Sequence, residues 1–174
     1  MDFPNLAVMR RKSFQRMHCP IARSLERIGE WWSILILRDA LHGYTRFEEF
    51  RASLGVAPNI LTRRLAALVE AGFLEKQQYS AHPPRYEYVP TQRGRDFRPV
   101  LLSLMAFGNR HFAPEGAMVE VVNTQSGKPA DIGVFDRATG KPIAAPDYAM
   151  VPGPAANARI RKRYARRKVE AGAA

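Results

Sequence analysis

The chain has 174 residues, of which 46% are hydrophobic, so it can bury the core of one compact domain. Lysine and arginine number 27 against 16 acidic residues, and the net charge of +11 favours an anionic partner such as nucleic acid. The single cysteine excludes an intramolecular disulfide, and no apolar run approaches the roughly 20 residues of a membrane span. We therefore expect a cytoplasmic protein with no secretory signal and no membrane partner.

Charge and composition divide the chain. Residues 1–112 carry 17 basic and 10 acidic side chains, residues 113–158 carry 3 and 5, and residues 159–174 carry 7 and 1. The positive excess therefore lies on the predicted domain and on the last segment of the chain. We predict an N-terminal arm, one folded domain, a small β-rich appendage and a linker with a basic tail, at residues 1–17, 18–112, 113–151 and 152–174.

Two helices are predicted after the arm. Residues 19–29, CPIARSLERIG, place Ile21, Leu25 and Ile28 at helical spacing and end with a glycine, which commonly stops a helix. The next segment, EWWSILILRDALHG, is apolar on too many sides for a surface helix. It is therefore predicted to be the central buried helix.

A short helix and a longer one follow, joined by a tight turn. In TRFEEFRASLG, Thr45 is placed to cap the first helix, and Glu48 three residues later completes a capping box. The stretch from Ala57 to Gly72 has its apolar side chains on one face and Pro58 at its first helical position. Two short helices of this kind form a helix-turn-helix.

The outer face of the second of these helices has the residue types that read DNA. Asn59, Thr62 and Arg63 point away from its apolar side. Arginine pairs with guanine edges, asparagine with adenine, and threonine with phosphate or a thymine methyl group. A polar helix face is more often only solvated surface, so the flanking elements decide between these interpretations.

The flanking elements favour DNA recognition. FLEKQQY and RYEYVP have strand-like composition and are separated by SAHPP, which predicts a two-stranded hairpin. Its tip, residues 80–84 with Arg85 beside it, has the charge and rigidity to lie on a sugar-phosphate backbone. A helix-turn-helix followed by such a hairpin is a winged helix, so the predicted fold class is α+β.

The segment from Thr91 to Phe112 predicts a long helix whose apolar face exceeds what one small domain can cover. Pro99 should kink this helix or divide it in two. We expect it to pack, together with the helix at residues 19–29, against the same helices of a second subunit. Beyond Phe112, the segments MVEVVN, DIGVFD and KPIAAPDY, separated by SGKP and ATGK turns, predict a small meander of strands.

Taken in order, these motifs resemble one family. LERIGEWWSILILRDAL, TRFEEFRASLGVAPNILTRRLAALVEAGFLEK, PPRYEYVPTQRG and PVLLSLMAFG are similar to the HxlR family of bacterial winged-helix transcriptional regulators. The resemblance covers residues 18–112 and implies a DNA-binding homodimer with flanking dimerisation helices. We expect contacts with double-stranded DNA at Thr45, Pro58, Asn59, Thr62, Arg63, Arg64, His82 and Arg85.

The chain departs from the family pattern in places. Glu30-Trp31 stands where relatives commonly have a glycine-lysine pair, and Ala57 where they often have a serine cap. NTQSG and DRATGKPI resemble the paired knuckles of a zinc-ribbon-like tail found in some relatives. Ser126, Asp136 and Thr139, however, stand where thiols would be expected, and zinc needs several thiolate or imidazole ligands. We therefore expect no metal, and no cofactor.

Two further candidate sites, a redox-sensing cysteine and an effector pocket, each allow a second interpretation. Some members of the family respond to oxidants through a cysteine at the place of Cys19, which could also simply pack at a helix start. Trp31, Trp32 and Phe107 could line an effector pocket for a small aromatic molecule, but aromatic side chains at such positions are more often core.

The resulting interpretation is a sequence-specific repressor that acts as a homodimer on a palindromic operator and is released by a small molecule or a thiol-reactive signal. A catalytic function lacks any constellation of nucleophile, base or metal ligands, so we expect no enzyme. The alternative is an architectural or non-specific nucleic-acid-binding protein. It rests on the net charge and on the basic run from Arg159 to Lys168, which is equally consistent with a solvated tail.

Overall fold

The computed structural model describes residue 14 and residues 17–165. Most of the predicted arm and the end of the basic tail lie outside the described residues. The elements in chain order are α1 (Pro20–Ile28), α2 (Trp31–Leu41), α3 (Phe47–Leu54), α4 (Pro58–Glu70), β1 (Leu74–Ser80), β2 (Arg85–Pro90), α5 (Gln92–Asp96), α6 (Arg98–Phe112) and α7 (Ala158–Ala165). The α+β winged helix expected from the sequence is confirmed. Within the described ranges, no helix is long and apolar enough to cross a bilayer.

The core surrounds α2, which packs against α1, α3, α4, α6 and the hairpin. Ile36 and Leu37 of this helix have no exposed surface. The prediction of a central buried helix is therefore confirmed. The other fully buried large side chains come from α3, α4 and β1 and are Phe50, Leu61, Leu65, Leu68 and Leu74.

The start of α3 differs from the predicted capping box. The N-cap is Arg46, and the carboxylate of Glu49 accepts hydrogen bonds from the N–H groups of Thr45 and Arg46, at 2.9 and 2.8 Å. Thr45 is held one residue further out because its carbonyl oxygen accepts the N–H of Tyr88 at 2.7 Å. The prediction of a Thr45–Glu48 box is wrong by one residue, since pairing with the hairpin sets where the helix begins.

The predicted hairpin is confirmed. Strands β1 and β2 are antiparallel, with Leu74 opposite Pro90, and an irregularity between Gln78 and Ser80 near the turn. Arg46 forms a single bridge with Glu87, which ties the hairpin to the start of α3.

The predicted long C-terminal helix is divided in two, as Pro99 suggested. Helix α5 ends at Asp96 and α6 begins at Arg98, with the proline in the first turn of α6. No residue of α6 is buried in the described structure. Four of its apolar side chains, Val100, Leu104, Phe107 and Phe112, are about half exposed or more, which matters for the subunit contacts considered below.

The predicted meander in the appendage is wrong. Residues 113–157 contain no strand, but only turns and two isolated bridges, Val122–Pro129 and Phe135–Pro142. Each bridge has a proline on one side, and proline lacks the N–H that would extend a ladder. The appendage is therefore a series of closed turns.

Candidate nucleic-acid interface

Helix α4 is anchored by its apolar stripe. Leu61, Leu65 and Leu68 lie on one side and have no exposed surface. At 3.6 residues per turn, this stripe turns Asn59, Thr62 and Arg63 towards solvent, and all three are exposed. The predicted outer face is therefore the face that α4 presents at the surface.

The polar groups of this face are held in different ways. The side-chain oxygen of Asn59 accepts the N–H of Ile60 at 2.9 Å, which leaves its amide hydrogens directed elsewhere. The hydroxyl of Thr62 donates to the carbonyl oxygen of Pro58 at 2.8 Å, which leaves its oxygen able to accept a hydrogen bond. Among the described residues, Arg63 makes no side-chain hydrogen bond or ion pair. Its guanidinium is free to pair with a base edge.

Arg64, the other arginine of this helix that we expect to contact DNA, has different surroundings. A guanidinium nitrogen of Arg64 lies 2.8 Å from a carboxylate oxygen of Glu30, and the Arg64 side chain is only 19% exposed. Its Nε is buried without a hydrogen-bond partner in the described structure. Arg64 thus ties α4 to the start of α2. The residue Glu30, noted as a departure from the family pattern, supplies the carboxylate.

The first turn of α4 lacks a side-chain cap because its N-cap position is Ala57. Pro58 follows and is exposed. Backbone N–H groups at an open helix N-terminus attract phosphate oxygens. Thr45, which we also expected at the interface, is half buried, and its main chain is occupied by Glu49 and Tyr88.

The hairpin forms a wing beside this face. His82 and Arg85 are exposed at its tip, as the sequence predicts. Two cations that the sequence analysis did not select lie over aromatic rings: Arg46 over Tyr79, at 4.9 Å from the ring centroid, and Lys76 over Tyr86, at 4.0 Å. The hairpin register would have indicated Lys76, since Tyr86 is its diagonal neighbour across the strands.

Two ionisable groups at the base of the wing have shifted pKa values. Hydrogen bonds from the N–H groups of Arg46 and Thr45 lower the pKa of Glu49 below its ordinary value. Burial raises the pKa of Tyr88 above its ordinary value. Glu49 is therefore an anion, and Tyr88 a neutral phenol, at neutral pH.

Cys19 occupies the N-cap position of α1 and is half buried. It lines a cavity of about 600 Å³ together with His18 and with Arg159, Lys162 and Arg163 of α7. The basic tail, whose role the sequence left open, thus approaches the cysteine.

The three aromatic residues expected to form an effector pocket are not gathered around one cavity. Trp31 is 75% exposed, whereas Trp32 packs against the core. The ring of Phe107 lies on the outer side of α6 against those of His111 and Phe112, with centroids 4.7 and 5.6 Å apart. A cavity of about 600 Å³ between α2 and α6 is lined by other residues. The prediction that these three aromatic residues line one effector pocket is therefore not supported by their positions.

The knuckle-like turns of the appendage are closed by hydrogen bonds. Asp136 accepts the N–H of Ala138 at 2.9 Å and the hydroxyls of Thr139 and Tyr148 at 2.9 and 3.1 Å. These bonds, that from Ala138 foremost, lower the pKa of Asp136. In the described part of the chain, no group of three histidine, cysteine, aspartate or glutamate side chains is arranged to hold a metal ion.

Comparison with known proteins agrees with this geometry. The family model described as HxlR-like helix-turn-helix matches residues 27–116, more than half of the chain. The chain belongs to the HxlR family. It is therefore a helix-turn-helix regulator of transcription that binds DNA.

Individual proteins are also similar to this chain. An HTH-type transcriptional regulator of Mycobacterium tuberculosis is 35% identical over 141 residues, which are 80% of this chain and 89% of that protein. A solved structure from Pseudomonas aeruginosa, described as a transcription factor, is 55% identical, with a TM-score of 0.61 over 83% of this chain and 99% of that chain. The redox regulator HypR, solved in its oxidised form, is 30% identical, with a TM-score of 0.50 over 53% of this chain and 97% of that chain.

Proposed function

We propose that the protein binds a palindromic operator as a homodimer and represses transcription until a small molecule or a thiol-reactive signal releases it. The observation that carries this proposal is the exposed face of α4. Asn59, Thr62 and Arg63 protrude there from a helix that is fixed to the core, beside a wing that presents Arg85. This arrangement suits base contacts in a major groove and phosphate contacts next to it.

The homodimer is supported by apolar surface that the described chain does not cover. On α1, Ile21 is 70% exposed, and on α6, Leu104 and Phe112 are 52% and 73% exposed. Monomeric proteins rarely leave large contiguous apolar patches in water. Pairing of these helices around a two-fold axis would bury them and present two copies of α4 to two half-sites about one helical turn of DNA apart.

The releasing signal has two candidates. HypR is described as a redox regulator, which supports a thiol response at Cys19. Cys19 shares its cavity with the cationic side chains of Arg159, Lys162 and Arg163. A small-molecule signal is supported by the cavity between α2 and α6, since cavities of a few hundred Å³ are the usual size of ligand pockets. A regulator of this kind acts on the chromosome, so we place it in the cytoplasm.

Selection of bound sites from a random DNA pool by the purified protein tests the function. We expect one recurring sequence with two-fold symmetry, protected in footprinting at both half-sites. The architectural alternative rests on the net charge of +11 and the cationic helix α7. It predicts binding without a recurring sequence, and that outcome would rule out an operator-specific regulator.

A further inference from the structure

The cavity between α2 and α6 has three walls. Ile34 and Leu35 form the α2 wall, and Leu102 and Met105 lie on the α6 wall. The third wall is the appendage segment 118–121, which is held in place because the side-chain amide of Asn109 donates to the carbonyl oxygen of Val119 at 2.8 Å. The cavity is open to solvent on one side and has a volume of about 600 Å³. The appendage thus turns the side of α6 into a concave, mainly apolar site.

The charged side chains that line this cavity differ in whether they already have a hydrogen-bond or ion-pair partner. Arg38 forms an ion pair with Asp39, in which a guanidinium nitrogen lies 2.8 Å from a carboxylate oxygen. Arg98, in contrast, lines the cavity and makes no side-chain hydrogen bond or ion pair among the described residues. Glu120 is the acidic side chain on the walls, and no ion pair holds it against Arg98 in the described structure. The cavity therefore offers an uncommitted guanidinium beside an apolar interior.

We propose that this cavity is an effector site for a small molecule with an apolar body and one acidic group, which Arg98 binds. An apolar body removes the lining from water, and a guanidinium pairs with a carboxylate or sulfonate through charge-assisted hydrogen bonds. The inference rests on the proposed function, because an effector presupposes a regulated operator.

The position of the cavity connects it to DNA binding. Helix α2 packs directly against α4, which carries the reading face. Helix α6 carries Leu104, which lies both on the cavity wall and on the proposed dimer face. A ligand wedged between α2 and α6 shifts the dimer face relative to the reading helix. The spacing of the two reading helices on the operator then changes.

Two fluorescent probes test the site on the full-length protein. Anilinonaphthalene sulfonate has an apolar body with an acidic group, and phenylnaphthylamine has the same body without it. We expect saturable binding of one sulfonate probe per chain. Arg98→Gln should weaken the sulfonate probe about tenfold and leave the neutral probe unchanged. Arg110→Gln, on the same helix but outside the cavity, should change neither probe, and Glu120→Gln should strengthen the sulfonate probe.

Two variants fill the cavity from opposite walls. A Cβ atom added at Gly108 would have nothing within 4 Å, so Gly108→Leu has room to enter the space. Val119→Trp enters from the appendage. Both should abolish binding of both probes. Probe binding that survives in both filled variants, or an equal loss of both probes with Arg98→Gln, would overturn the proposal.

Operator binding separates this inference from the proposed function. Saturating sulfonate probe should lower the operator affinity of the native protein and leave that of Gly108→Leu unchanged. If the native protein binds its operator equally well with and without the probe, the effector site is wrong and the regulator stands. If no operator is found at all, the proposed function fails, whatever the probes do.

Discussion

Arg63 and Arg64 are neighbours in the sequence with opposite surroundings. Arg63 is exposed on the reading face, whereas the guanidinium of Arg64 is paired with Glu30 and mostly buried. A single helical step of about 100° separates a residue that can meet a base from one that fixes the helix to the core. Adjacent arginines of one helix thus differ in whether their guanidinium groups are available to a ligand.

The first prediction distinguishes base contacts from phosphate contacts. Arg63→Ala should cost about 1 to 3 kcal/mol of operator binding and relax the preference at one position in each half-site. Arg85→Ala should weaken binding to all sequences alike and reduce the salt slope by about one unit for each phosphate that is no longer neutralised. Affinities on operator and random DNA at several salt concentrations measure both. Arg137→Ala, in an appendage turn, is the control; equal losses on both DNAs for Arg63→Ala would contradict base reading.

The second prediction concerns the cap of α3. Because backbone hydrogen bonds lower the pKa of Glu49 in the folded protein, its charged form stabilises the fold above the unfolded pKa. This contribution is lost as the pH falls through the folded pKa. Glu49→Gln should therefore lower the melting temperature at neutral pH, and the two proteins should converge in acid. Glu48→Gln, which removes only a surface ion pair with Arg51 from a side chain that is 72% exposed, is the control and should melt nearly like the native protein. A difference for Glu49→Gln that persists in acid would contradict the cap.

The third prediction concerns Cys19. If this thiol is the sensor, Cys19→Ser should bind the operator normally and stop responding to diamide. Operator binding of the native protein and of Cys19→Ser, each with and without diamide, measures this response. Native operator binding that is insensitive to diamide would end the redox interpretation and leave the small-molecule signal.

At the scale of elements, the wing is held by a close contact with α5. A Cβ atom added at Gly94 would overlap the carbonyl oxygen of Phe73 and lie 3.5 Å from Cβ of Pro90. The ring of Phe73 also meets that of Phe97 edge to face, with centroids 6.1 Å apart. The position of the wing beside α4 therefore depends on the absence of a side chain at this glycine. Its backbone conformation is one that other residues also adopt.

The fourth prediction tests this contact. Gly94→Ala should lower the free energy of unfolding by about 1 to 3 kcal/mol, because the added methyl group forces β1 and α5 apart. Gly108→Ala, also helical but with open space around its Cβ position, should instead leave stability unchanged or raise it by up to about 1 kcal/mol. Urea unfolding of both variants measures the difference. Similar stabilities would show that α5 does not hold the wing.

At the scale of the whole molecule, the proposed homodimer rests on the uncovered apolar surfaces of α1 and α6. The fifth prediction is that Leu104→Glu produces monomers that bind the operator poorly, because a charge in an apolar interface loses its hydration without a partner. Val151→Glu, at a valine that is 68% exposed outside both helices, should leave the dimer intact. Light scattering and operator titration measure both variants. A native protein that is monomeric at micromolar concentration and still binds a palindromic site would contradict the dimer.

The sequence by itself determined the helices of the domain, the helix-turn-helix and the wing. Their signals are local: the apolar spacing of Leu61, Leu65 and Leu68, the glycine stops, and two strand-like segments around SAHPP. It also indicated the exposed face of α4, since burying one stripe of a helix necessarily exposes the opposite side. The order of these motifs is what made the family recognisable.

Only the tertiary structure decided which side chains meet across elements. Glu30 forms an ion pair with Arg64 and so ties α4 to the start of α2. The N–H of Tyr88 in the wing binds the carbonyl oxygen of Thr45, so that Glu49, and not Glu48, caps α3. The cavity between α2 and α6 likewise requires a third wall from residues 118–121, beyond the winged-helix domain. These contacts join residues far apart in the chain. Periodicity and local signals carry no information about them, because they depend on how the elements pack.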